Sequence, residues 1–379
     1  MEYARTNDIT EMINIGRAII EERPDLYNRK TSASQKKRLA DLFGGGITED
    51  DYFRFTYDFW TYGVSVEEYV CYQFYKLSPQ EKEAYLTDRN RYVYIEYLNS
   101  HPDFFVLVDK YATYERIKPY FRRDVVKISE DDLQTFLDFT DAHPVFFLKP
   151  TDLGLAAGIK KLDVRNTDRE KLFHKLFKIR KGINSLVTDN REHSLDYVCE
   201  EMIVEEPSMA AFHPLSVNGI RLNTILKRDG SVEIFYPWFR IGSGRKSVCN
   251  GGAGGIVANI DPSNGIVYTD GCDEKGVDYT FHPDSGLRFK GFVIPRWDEI
   301  LDMARELAQK FSTVPYIGWD FALTDGGWCV IEANPNGQLW VAQLAIKRGL
   351  RKEFESLIDY KKEQYFWWQE VEDEDIYFW

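Results

Sequence analysis

At 379 residues the chain is long enough for two or three units with substantial cores, and its 44% hydrophobic and 15% aromatic content excludes a disordered protein. A formal net charge of −13 argues against nonspecific adhesion to nucleic acid or anionic membrane, because an overall basic footprint is missing. The five cysteines (71, 199, 249, 272 and 329) form no C-x-x-C pair and read as reduced thiols, neither a disulfide framework nor a zinc site.

MEYARTNDIT at the N-terminus lacks basic and apolar signal regions, and no run approaches about 18 uninterrupted apolar residues. The expectation is a cytoplasmic protein without membrane insertion. The first hundred residues have no strand-turn-strand rhythm. Tyr52, Phe55, Phe59 and Tyr62 recur at helical spacing, and Ser78-Pro79-Gln80-Glu81 is a helix start with Pro at the first helical position and Glu at the third. The region reads as helices packed through aromatics, a core and not a platform for stacking bases.

From about 104 the rhythm changes. FFVLVDK (104–110) reads as a short apolar strand ending in charge, followed by a helix in YATYERIKPYF, a strand DVVKI and a helix opening at Ser129. The strand VFFLKP, the Gly-containing loop TDLGLAAG and the strand IKKLDV come next. A helix around 167–180 leads to LDYVCEEMIV, an apolar edge linking two lobes. Strands follow around 220–227, 232–240, 254–260 and 266–269, then a helix at 297–311 with Leu301, Ala304, Leu307, Ala308 and Phe311 on one face.

IGWDFALTDGGWCVIEANPNG (317–337) reads as a β-hairpin turning at Asp325-Gly326-Gly327. A three-residue loop places Asp320 directly opposite Glu332, with Asn334 on the same face; a two-residue loop makes the carboxylates diagonal. Opposed like charges destabilise a sheet, so a compensator is expected. A hard divalent cation suits a carboxylate–carboxylate–amide set, and a solvated sheet face is the plainer alternative.

Lys149-Pro150 ends a buried strand before the small-residue loop 151–158, and Lys110 stands in a similar place. Such lysines suit phosphate, although a snorkelling strand-end lysine is the plainer reading of either taken alone. Arg221 and Arg240 fall within strands, where a guanidinium facing a site binds carboxylate or phosphate. Asn250–Gly255 is glycine-dense, and Gly242–Ser247 fails the spacing of a phosphate loop. No Ser–His–Asp or H-E-x-x-H pattern is present, which leaves hydrolase and metalloprotease readings without support.

In chain order, Asp109-Lys110, Lys149-Pro150, Glu200-Glu201-Met202-Ile203, the strand arginines, Asp320 and Glu332-Ala333-Asn334 resemble the ATP-grasp superfamily, including the D-K, K-P, E-x-x-[IL] and E-A-N landmarks of its D-alanine–D-alanine ligases. The second half, from EEMIVEEPSMAAFHPLSVNGIRLNT to IGWDFALTDGGWCVIEANPN, is similar to the sugar-transfer-associated ATP-grasp family.

The resemblance implies an α+β ATP-grasp fold, two lobes clasping ATP between antiparallel sheets, with a helical region at 1–103. The small lobe would span 104–200, the large lobe with the metal site 201–350, and a helix with an acidic aromatic tail 351–379. It also implies that Lys110, Lys149 and the loop with Thr151, Gly154 and Gly158 contact the phosphates of ATP. Glu200 lies beside the adenine segment, the backbone of Glu201, Met202 and Ile203 reads the adenine edge, and Glu206 or Glu205 meets the ribose. Asp320, Glu332 and Asn334 hold two Mg²⁺ ions, Mn²⁺ being the alternative metal, while Arg221, Arg240 and Lys149 serve the transferring phosphoryl group. The implied activity is carboxylate–amine ligation through an acyl phosphate, on small-molecule, peptide or glycan-linked substrates near polysaccharide assembly. A phosphotransferase and a non-catalytic nucleotide-binding module are the rival readings.

Overall fold

The structure is a computed structural model that describes residues 4–99, 102–153, 158–184, 193–244 and 255–358. The N-terminal region is helical: α1 (Ile9–Glu22), α2 (Arg29–Phe43), α3 (Glu49–Tyr62), α4 (Val66–Cys71), α5 (Pro79–Ala84) and α6 (Asp88–Asn99). Reciprocal capping boxes open three of these, with Thr48 and Asp51 at α3, Ser65 and Glu68 at α4, and Ser78 and Glu81 at α5. The helical spacing of Tyr52, Phe55, Phe59 and Tyr62 is realised on α3, and all four are buried. Their cluster also takes in Cys272, Trp340 and Leu344, so the helical region packs onto elements far along the chain. Within it Lys82 Nζ lies 2.7 Å from Asp58 Oδ1, a fully buried pair.

Residues 104–108, expected as a strand, belong to α7 (Asp103–Val108). Leu107 enters the core while Phe105 stays exposed, and a short apolar run does not by itself separate helix from strand. Asp109 then caps α8 (Lys110–Ile117) by accepting from the Ala112 amide at 2.7 Å. The strands β1 (Val125–Ile128), β2 (Val145–Pro150), β3 (Lys160–Asp163) and β4 (Tyr197–Glu201) form an antiparallel sheet in the order β1-β4-β2-β3. β4, in the segment expected to link two lobes, is an interior strand. Its burial fits that place, since Tyr197 to Glu200 are all buried. The helix expected from Ser129 begins later, as α9 (Leu133–Ala142), because Ser129 is turned back onto the Asp132 carboxylate. With α10 (Arg169–Asn184), α9 covers the sheet through Phe136, Phe139, Phe173 and Phe177.

After the short α11 (Pro207–Ala210) comes the larger sheet, built from β5 (Gly219–Leu226), β6 (Val232–Ile241), β7 (Ile256–Asn259), β8 (Gly271–Asp273), β9 (Asp278–Tyr279), β10 (Tyr316–Thr324) and β11 (Gly327–Asn334). Its order is β11-β10-β5-β6-β7-β8-β9, antiparallel throughout. Residues 266–269, expected as a strand, make only isolated bridges, Ile260 with Val267 and Ile266 with Val293. α12 (Trp297–Lys310) lies on one face, its Ile300, Ala304 and Leu307 in one core with Leu222, Phe239, Trp319 and Phe321. α13 (Trp340–Leu344) and α14 (Arg351–Leu357) close the described chain, so the acidic tail at 359–379 lies outside the described residues. Among the described residues, no helix is long and apolar enough to cross a membrane.

The aromatic cluster gives a direct test. Phe55→Ala empties a fully packed position and is expected to cost about 3–5 kcal/mol, read as a fall in Tm by calorimetry.

Candidate active site

Two sheets bring their polar side chains together at β10 and β11. The loop between these strands has two residues, Asp325 and Gly326, closed by the pairing of Thr324 with Gly327, whose φ of +108° demands glycine. That register alone would set the carboxylates diagonally. A bulge between Asp320 and Phe321 on one strand, and Val330 and Glu332 on the other, absorbs Ile331 and restores the direct opposition of Asp320 and Glu332. The opposed pair is thus present by a different route from the three-residue loop.

The ladder continues across five strands. Asp320 pairs with Arg221, Arg221 with Trp238 and Trp238 with Asn259, one rung from β11 to β7. Arg221 grips Asp320 side-on, Nε to Oδ1 at 2.7 Å and NH2 to Oδ2 at 2.8 Å. Arg240 donates to Oδ1 at 2.9 Å and Asn334 Nδ2 to Oδ2 at 3.3 Å. Burial pushes the Asp320 carboxyl up, but the two guanidiniums outweigh it and hold the group below the ordinary carboxylate range. Two arginines thus compensate the charge at Asp320.

Glu332 is different. Its side chain is one-third exposed and meets only Lys110, at 3.4 Å, among the ion pairs of the described residues. Lys110 opens α8, and its Nζ donates to the Leu153 carbonyl at 2.6 Å while its amide donates to Thr151. Lys149, on β2, lies 2.9 Å from Glu200 Oε1. Glu200 in turn accepts from Arg123 Nε at 3.1 Å and NH2 at 2.7 Å. Arg123 NH1 completes the chain by donating to the Val330 carbonyl at 2.6 Å, and NH2 to that of Ile331 at 3.4 Å. Burial raises the Glu200 carboxyl, yet Lys149 and Arg123 bring it down to about 2. Lys149 of the first sheet is thereby joined to the bulge of the second.

Other expected contacts are engaged elsewhere. Glu206 caps α11, accepting from Ser208 and Met209 amides, and Glu205 accepts from the Asn218 amide at 2.6 Å and Nδ2 at 2.9 Å. Burial pushes the Glu205 carboxyl up to about 8. Glu201 is tied to Asp124 through both its amide and its carboxylate, while Met202 and Ile203 follow as half-buried, non-regular chain. Thr151 is buried with its amide on the Asp196 carbonyl, and Gly158 is left-handed at +73°. Gly154 and most of the glycine-dense segment 250–255 lie outside the described residues.

Sequence reasoning missed Arg123, whose only signal was a basic pair ahead of β1, and the surface grouping of Asp124, His143 and Glu201, in which His143 Nε2 lies 2.9 Å from Asp124.

The donor set can be tested against a hard cation. Glu332 and the Asn334 Oδ1 are oxygen ligands with no competing donor as strong as a guanidinium, and they fit Mg²⁺. Asp320 already carries four hydrogen bonds on its two oxygens and fits only when one donor, Arg240 being the more exposed of the two arginines, lets go.

Two antiparallel sheets, with Lys110 of α8 on Glu332 and Lys149 of the smaller sheet linked through Glu200 and Arg123 to β11, fit the ATP-grasp class. The chain belongs to the sugar-transfer associated ATP-grasp family, whose sequence profile matches residues 155–358. No curated protein matches it significantly. Solved structures similar to it include the ATP-grasp ligase PsnB with a minimal precursor (12% identity, TM-score 0.37, covering 70% of this chain and 60% of that one). The ADP complex of purK, an N5-carboxyaminoimidazole ribonucleotide synthetase, gives 12%, 0.37, 61% and 45%, and D-alanyl-alanine synthetase A of Vibrio cholerae gives 11%, 0.36, 64% and 65%. The chain thus spans 60% and 45% of the first two. The assignment rests on the family match.

Two outcomes follow from the electrostatics. Glu200→Leu leaves Lys149 and Arg123 buried without their counter-ion and is expected to cost about 3–5 kcal/mol in chemical denaturation. Glu205 has a folded value of about 8 against an ordinary 4.5, so its contribution is full below the ordinary value and is lost as pH rises through the folded one. Wild-type stability is therefore expected to decline across that window, and Glu205→Gln to flatten the decline in Tm measured against pH.

Proposed function

We propose that the chain is an ATP-dependent carboxylate–amine ligase. The observation that carries the reading is the meeting of Lys110, Arg221 and Arg240 with Asp320, Glu332 and Asn334, to which Lys149 is linked through Glu200 and Arg123. With Arg123 included, cations outnumber the carboxylates Glu200, Asp320 and Glu332, which suits a polyphosphate.

Lys110 and Lys149 bind the phosphates, with Thr151 and Gly158 flanking them, and the backbone of Glu201 to Ile203 reads the adenine edge. Glu206, or Glu205, takes the ribose. Glu332 and Asn334, joined by Asp320 once it is released, hold Mg²⁺, which when bound neutralises phosphate charge and orients the triphosphate. A substrate carboxylate oxygen attacks the γ-phosphorus, and the bond to the ADP oxygen breaks. Arg221 and Arg240 stabilise the charge spread over the phosphoryl oxygens. An amine nitrogen then attacks the acyl carbon, the bond to the phosphate oxygen breaks, and the proton lost by the nitrogen passes to the departing phosphate. Positioning and charge neutralisation do the work of the first step. The family's association with sugar transfer supports an amino-acid, peptide or glycan-linked substrate for the carboxylate or the amine.

The test is ADP release from Mg-ATP with pooled amino acids, peptides and glycan fragments, in the presence of hydroxylamine. Hydroxamate is expected with the wild type and is expected to vanish in Glu332→Gln. ADP release without hydroxamate would replace the ligase by a phosphotransferase, and tight ATP binding without turnover would favour a binding module.

A further inference from the structure

The chain immediately after Asn334 is held in an unusual way. Pro335, Asn336 and Gly337 form a turn in which three consecutive carbonyls each receive a buried side-chain donor. Asn99 Nδ2 donates to the Pro335 carbonyl at 2.6 Å, Arg91 NH1 donates to that of Asn336, and the Tyr316 hydroxyl donates to that of Gly337 at 2.7 Å. Both Nδ2 hydrogens of Asn99 are used: the second goes to the Tyr316 carbonyl at 2.8 Å, and its Oδ1 accepts from the Tyr316 amide at 3.0 Å. It therefore pins the start of β10 to the end of β11. Arg91 is oriented by Asp88, Nε to Oδ1 at 3.0 Å, and the Asp88 amide is held by buried Glu68 at 2.8 Å. All three donors are nearly inaccessible to solvent.

The turn also touches the arginine of the site. A Cβ placed on Gly337 would lie 3.0 Å from Arg221 NH1, so a larger residue there would press on the guanidinium. Arg91 and Asn99 belong to α6, in the helical region, where sequence reasoning found no chemistry-bearing motif. A buried backbone carbonyl needs one partner, and ordinary turns satisfy theirs locally or with water. Three buried side chains brought from α6 and β10 to successive carbonyls fix the path of the chain, and with it the aim of Asn334 and the seat of Arg221.

We propose that Arg91, Asn99 and Tyr316 are positioning residues that hold the Asn334 side chain in its metal-binding place, making the helical region part of the nucleotide site. The proposal rests on the Mg-nucleotide reading of that site but not on the ligase outcome. Removing such supporting partners typically weakens metal binding about 10–100-fold.

The experiment measures binding of ADP to the full chain by calorimetry, with and without Mg²⁺, for the wild type, Asn99→Ala and the gentler Tyr316→Phe. Hydrogen exchange of the peptide covering 333–338 is followed in parallel. Asn99→Ala is expected to raise the Mg²⁺ concentration needed for half-maximal tightening by about tenfold, leaving Mg-free ADP affinity unchanged and speeding exchange in the peptide. Tyr316→Phe, which deletes one hydroxyl, is expected to shift it roughly fivefold, the worth of one ordinary hydrogen bond. A lowered Tm with an unchanged Mg²⁺ dependence in both variants would overturn the proposal and leave these residues a purely structural role. A wild type whose ADP binding ignores Mg²⁺ would overturn the nucleotide-site reading itself, a different result from loss of the Mg²⁺ effect in the variants alone.

Discussion

A carboxylate removed from water at Asp320 sets the terms for everything around it. An ionised group in that position is tolerated only if its lone pairs are met, and Arg221, Arg240 and Asn334 meet them. That requirement is met from β5 and β6, which lie on the side of β10 away from β11 and supply the two arginines. It also prepares the site for an anion. On the ligase reading, a guanidinium that balances Asp320 can exchange that carboxylate for a phosphoryl oxygen, so the cost of holding a buried charge becomes part of the binding step.

The second constraint lies between the sheets. Lys149, Glu200 and Arg123 form a buried relay whose far end is the bulged segment of β11. Each member is costly alone and acceptable only with its neighbours. Because the relay crosses from β2 and β4 to β11, it ties the lysine that would sense the phosphates to the strand that presents Glu332.

Much of this was legible from residues alone. The aromatic spacing of α3, the capping box at Ser78 and the strand arginines were visible because each depends on local periodicity or cap chemistry. The opposed carboxylates were anticipated, but with the wrong loop: a two-residue turn plus a bulge gives the same opposition, and nothing in VIEAN announces an extra residue at Ile331. The strand expected at 104–110 failed because a short apolar run has no period of its own, and the interior place of β4 was out of reach because strand order is a tertiary fact. Arg123, Asn99 and Arg91 were missed for a shared reason: their partners lie more than two hundred residues away, on Val330, Pro335 and Asn336. Whether Glu206 or Glu205 turns to a ribose was equally beyond reach, since both carboxylates are occupied by local donors.

The grip on β11 and its following turn is taken almost wholly on carbonyl oxygens, at Val330, Ile331, Pro335, Asn336 and Gly337. Carbonyls are common to all residue types, so the anchorage does not depend on which side chains the strand displays. Among these positions Gly337 is crowded, since an added Cβ would meet Arg221 NH1 at 3.0 Å, while Val330 and Ile331 are held through backbone atoms that every residue carries. The arrangement separates support from chemistry: a sequence could drift at the anchored positions, or acquire a new recognising side chain there, while Glu332 and Asn334 stayed where they are.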